Sequence, residues 1–190
     1  MFTLILAVLS ASAAAGMRIA LPLLVISLFD EDKLWSKLPF VAKINPRVIL
    51  AILISWSLFE LFASKKLLGQ RILQIFQLIF SPLVGALTAV TVVEIAEIDF
   101  TPTWIIAVVG AVFALVLTLV QVGWFFRLRG IPIFIVILED ILCLSLVLLA
   151  FSAPQQGGLI ALLLLWLAIR SSKAWRDWYH HKKQCSPQKN

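Results

Sequence analysis

The chain is poor in the residues that do chemistry in water. It holds 2 cysteines, 2 histidines and 1 tyrosine among 190 residues, and only 14% of its residues are charged. Cys143 falls in an apolar run and Cys185 in a polar tail, so no disulfide framework is indicated. His180 and His181 adjoin each other in that tail, and two neighbouring histidines alone make a poor metal site. A phosphate-cradling glycine loop, an HExxH helix and a GxSxG elbow are all missing. No metal or cofactor is expected. Intramembrane catalysis would fall to Glu139, Asp140 or Cys143 with no partner in view, so the chain is not read as an enzyme.

What it has in abundance is hydrocarbon. The composition is 62% hydrophobic and the mean hydropathy is +1.02. Soluble domains run at about 45–50% apolar and about 25% charged residues. A chain of 190 residues cannot bury this much apolar surface in water. The expected fold is all-α, a polytopic membrane helical bundle of about six transmembrane helices. The spans fall at residues 1–29, 48–63, 72–93, 103–126, 131–152 and 159–175, in one domain over 1–179 with a polar basic tail at 180–190. Ser10–Ala15 imitates a signal-cleavage site, but no basic segment precedes it and the apolar run resumes after Arg18. Pro154, Gly157 and Gly158 mark a loop between the last two spans.

The net charge of +6 is explained by topology rather than by nucleic acid. With six spans, eleven basic residues gather on one side: Lys65, Lys66, Arg71, Arg127, Arg129 and those from Arg170 onward. Only Lys33, Lys37, Lys43 and Arg47 fall on the other. The positive-inside rule then places both termini in the cytoplasm.

Three charges lie inside the apolar runs. A carboxylate at the bilayer centre costs about 2.5–3.5 kcal/mol or more on insertion scales. Glu139 and Asp140 share a face of their helix with Val136, Cys143, Val147 and Ala150, a stripe of mostly small residues that suits close packing. Arg18 shares its face with Ala7, Ala11, Ala14, Ala15 and Pro22. Counted from the nearest span ends, Arg18 and Glu139 both lie about 15 Å deep, near the midplane. The fourth span offers a matching stripe in Ala107, Gly110, Ala111, Ala114, Thr118 and Gln121. Spans one, four and five are therefore expected to pack around an Arg18 to Glu139/Asp140 ion pair. One guanidinium against two carboxylates leaves a surplus negative charge, met by a retained proton or a bound cation. Glu60 reads differently, as a helix-end residue paired with Lys65 or Lys66.

Four ordered motifs carry a resemblance: Gly16-x-Arg18 with Pro22; Phe59-Glu60-Leu61-Phe62-Ala63-Ser64-Lys65; Ser81-Pro82-Leu83-Val84-Gly85; and Leu138-Glu139-Asp140. Over about residues 10–155 the chain resembles the uncharacterised bacterial membrane-protein family catalogued as domain of unknown function 4126, in a cyanobacterial-like branch. The resemblance singles out Gly16, Arg18, Pro22, Glu60, Lys65, Pro82, Gly85, Glu139 and Asp140, and allows a thylakoid as well as a plasma membrane. It brings no activity with it. Where many members carry a histidine and a lysine late in the fourth span, this chain has Gln121, Trp124 and Arg127. A loose echo of Gly16, Arg18, Pro22 and Glu60 in Gly123, Arg127, Pro132 and Glu139 suggests an inverted 3+3 repeat.

Two functions compete. One is movement of a small solute, ion or proton through the buried Arg18, Glu139 and Asp140 site. The other is a non-catalytic scaffold or assembly factor for a larger membrane complex, photosynthetic if the thylakoid location holds. In that case the ion pair is architectural and the basic, tryptophan-rich tail docks partners or anionic lipid. Nucleic acid is not an expected partner.

Overall fold

A peptide group left unpaired in hydrocarbon costs several kcal/mol, so an apolar chain satisfies its backbone within helices. The computed structural model describes residues 2–29, 45–63, 67–96, 103–128 and 133–184, and these hold seven helices and no strand. In chain order they are α1 (Phe2–Met17), α2 (Ala20–Phe29), α3 (Pro46–Ala63), α4 (Leu67–Ile95), α5 (Thr103–Leu128), α6 (Ile133–Ser152) and α7 (Pro154–Gln184). Three are long and apolar enough to cross a membrane, over Gly69–Ile95, Thr103–Trp124 and Phe134–Ser152. Lys65 and the polar stretch from Asp30 to Ile44 lie outside the described residues.

The first apolar run, expected as one span over 1–29, is not one continuous helix. Arg18 and Ile19 lie outside any helix, between the end of α1 at Met17 and the start of α2 at Ala20. Pro22 supplies the reason. In a continuous helix its ring would collide with the carbonyl four residues back, which belongs to Arg18. Placed in the first turn of α2, the same proline needs no N–H and fits.

The stretch read as a loop after α6 is also mostly helix. Ala153 alone separates α6 from α7, and Pro154 opens α7 at its first position. Gly157 and Gly158 serve packing instead of turning. A Cβ on Gly157 would lie 2.5 Å from Ser10 Oγ, and one on Gly158 would run into Leu6.

Small residues also decide where the core sits. Twelve of the sixteen residues of α1 are buried, most of them alanine, serine or glycine, so neighbours close in on every side. α1 packs on α4, α5, α6 and α7. It runs parallel to α5, with Gly16 against Ala114 and Leu117. It runs antiparallel to α6, where Ser10 meets Leu146 and Arg18 meets Asp140. α4 and α5 approach through glycine: a Cβ on Gly85 would lie 2.7 Å from the carbonyl of Gly110, and one on Gly110 would lie 2.5 Å from that of Gly85. Large side chains such as Phe76, Ile79, Leu83, Ile141 and Leu163 point outward, as a lipid environment requires.

The packing shows which helix ends lie together. The early part of α1 lies with Ala150 and the α6–α7 junction, whereas Met17 lies level with Ala168 and Ser171 of α7. Phe2 and the basic stretch of α7 are thus at opposite ends of the bundle.

Gly110→Leu should lower stability by about 1–3 kcal/mol through overpacking, read from the unfolding midpoint in detergent. Gly123→Ala, with nothing within 4 Å of its Cβ position, should be neutral or stabilising by up to about 1 kcal/mol.

Candidate functional site

The break in α1 leaves its last carbonyls without helical partners, and three other helices supply donors. Thr118 Oγ1 on α5 lies 2.7 Å from the carbonyl of Gly16, and Gln77 Nε2 on α4 donates to that of Met17 at 3.4 Å. Cys143 Sγ on α6 reaches the carbonyl of Ala14, also at 3.4 Å, and the amide of Arg18 donates to the same oxygen at 3.0 Å. Thr118 Oγ1 also touches Ser81 Oγ at 2.6 Å and the Ala114 carbonyl at 2.9 Å. A hydroxyl has one proton, so Thr118 donates to Gly16, the shorter carbonyl contact, and accepts from Ser81. These groups satisfy a backbone that a straight helix would have satisfied alone.

Arg18 sits where the chain leaves α1, at the partly negative end of that helix. Its side chain is 5% exposed, and its Nε donates to Asp140 Oδ1 at 2.6 Å. Glu139, on the next position of α6, accepts a short hydrogen bond from Gln121 Nε2 on α5. Both acidic residues act electrostatically on Arg18, and so does Glu60. Asp140 is the more open of the ion pair, with its side chain 24% exposed. Along α6 it lies seven residues from Ile133, about 10 Å, and twelve from Ser152, about 18 Å.

Glu60 is 2% exposed, accepts from Trp56 Nε1 at 3.1 Å, and faces the backbone amide of Ile19 in the chain break. It belongs to the Arg18 cluster. The pairing with Lys65 falls outside the described residues. Among the other expected residues, Gly16 makes the close approach to α5, Pro22 forces the break, Gly85 makes the approach to Gly110, and Pro82 lies within α4.

Residues that carry no charge complete the site. Gln70, Gln74 and Gln77 stand on one face of α4 and are 7%, 7% and 8% exposed. With Arg18, Gln121 and Glu139 they line a cavity of about 30 Å³, large enough for a water molecule. The side-chain oxygens of Gln74 and Gln121 are buried without a hydrogen-bond partner. The face continues through the buried Ser81 and Thr88. Steps of four and three residues put all these polar groups on one side of an apolar helix, and that spacing was the available sequence signal. Among the described residues, no group of three or more His, Cys, Asp or Glu side chains is placed to hold a metal ion.

One cation faces three carboxylates, so its removal and the removal of one carboxylate are not equivalent. Arg18→Gln should cost about 3–5 kcal/mol of unfolding free energy, because buried like charges are left facing one another. Asp140→Asn should cost less, about 1–3 kcal/mol, since Arg18 keeps Glu139 and Glu60. An Arg18→Ala protein as stable as the parent would show that the pair is dispensable.

The family model described as domain of unknown function (DUF4126) matches residues 5–174. No curated protein and no solved structure matches the chain. The matched segment takes in the broken helix, the glutamine face, Glu60, Glu139 and Asp140, and the chain belongs to the DUF4126 family.

Proposed function

We propose that this multi-pass membrane protein moves a proton or a small cation through the Arg18, Glu60, Glu139 and Asp140 cluster. One observation carries the reading: three carboxylates act on a single guanidinium, beside a small cavity lined by Gln74 and Gln121, whose amide oxygens are buried without a partner. Ionisable groups within membrane segments cost too much to be kept without a use or a partner. Arg18 accounts for one carboxylate through Asp140. Glu139, with the buried side-chain oxygens of Gln74 and Gln121, adds hydrogen-bond acceptors. A cation or a proton-carrying group is the complementary occupant. Gln77, Gln74 and Gln70 continue from the cluster toward Arg71, giving a polar approach from the basic end, which the positive-inside rule makes cytoplasmic.

A scaffold role has one observation in its favour. The Arg18–Asp140 pair ties α1 to α6, as a register-fixing pair would.

Purified protein in liposomes should pass protons, sodium or potassium down an imposed gradient, and Glu139→Gln should reduce the flux at least tenfold while the protein stays monodisperse and helical. Folded parent protein that passes none of the three ions would exclude the transport reading and favour the scaffold.

A further inference from the structure

Glu139 and Gln121 have a second side. On the far side from the glutamine cavity they close the inner end of an apolar groove of about 270 Å³ between α5, α6 and α7. Leu117, Val120, Leu142 and Leu164 are among its walls. Leu138, Trp124 and Leu167 form the rim and are 54%, 50% and 46% exposed on the outward, lipid-facing surface. Trp124 Nε1 donates to Ser171 Oγ at 2.7 Å across that rim. The groove is near the small end of ligand pockets, which run from about 300 Å³ upward. Its polar floor and hydrocarbon walls describe an amphiphile.

Charge decides which amphiphile. The Arg18 Nε hydrogen bond is directed to Asp140, not to Glu139. Glu139 accepts from Gln121 Nε2, and the Oε1 of Gln121 has no donor. The acceptors at the floor are therefore the Glu139 carboxylate and, buried behind it, the Oε1 of Gln121. An alkane leaves them unpaired, and a fatty acid or an alkyl phosphate brings a second negative charge onto Glu139. A protonated primary amine supplies three donors and the opposite charge.

We propose that the groove binds a single-chain alkylammonium amphiphile that enters sideways from the bilayer, its ammonium on Glu139 and its chain along Leu138 and Leu167. The proposal takes the surplus of acceptors from the transport reading but requires no transport. The Glu139–Gln121 hydrogen bond becomes the partition between this lipid-side site and the polar cavity behind it.

The test uses the full chain in phosphatidylcholine nanodiscs, with dodecylamine, dodecanol and dodecanoic acid as probes and empty nanodiscs as the baseline. Dodecylamine should give a saturable change in tryptophan emission that is lost in Trp124→Phe, and it should bind at least tenfold more tightly than dodecanol or dodecanoic acid. Glu139→Gln should weaken it at least tenfold. Leu138→Trp, which fills the groove, should do the same, and Leu167→Trp on the facing wall repeats the test if that variant misfolds. Equal or tighter binding of dodecanoic acid, or amine binding unchanged by Glu139→Gln in folded protein, overturns the proposal whatever the flux assay shows. Amine binding as described in a protein that passes no ions leaves the groove standing and removes the transport reading alone.

Discussion

The break at Arg18 is the constraint from which the rest of this bundle follows. A helix interrupted inside apolar surroundings exposes carbonyls that water cannot reach, and each must find a donor on a neighbour. Thr118 and Gln77 are those donors, with Cys143 adding a contact to the Ala14 carbonyl, and they reach their targets only because α1 carries almost no bulk. Small residues, chain break and polar side chains are one solution to one problem. The serine and threonine on the inner faces of α4 and α5 belong to it as much as the arginine does.

Electrostatics is layered on that geometry. The guanidinium lies at the partly negative end of α1 and bonds Asp140, and Glu60 faces the amide of Ile19 just beyond the break. Backbone and side-chain charges thus stabilise the same point in the chain. An uninterrupted helix would spend its amides on its own carbonyls and would offer the carboxylate nothing.

The helical class, the three charges and the stripe through Gly110, Ala114 and Thr118 were legible because composition and period report burial directly. The break was legible in principle: Pro22 stands four residues after Arg18, the position at which a proline ring displaces a carbonyl. It was obscured because hydropathy continues unchanged from Leu21 to Phe29. The glycines at 157 and 158 misled for a related reason. The same lack of a side chain suits a turn and a close helix contact, and only the partner, Ser10 and Leu6, decides between them. Glu60 was assigned by its sequence neighbours, and it also faces the backbone of the break at Ile19.

One further consequence comes from the junction at Ala153. α6 and α7 are joined there by a single residue, and α7 is pressed against α1 at Gly157 and Gly158, while the apolar groove opens around Ser171. The distance along α7 from Gly157 to Ser171 is about 21 Å. The pair has the mechanics of tweezers, a fulcrum at one end and a gap at the other. A swing of about 5° at the fulcrum shifts Ser171 by about 2 Å, over a lever of that length. A modest change of helix tilt is therefore enough to alter the width of the mouth, while the tightly packed end stays as it is.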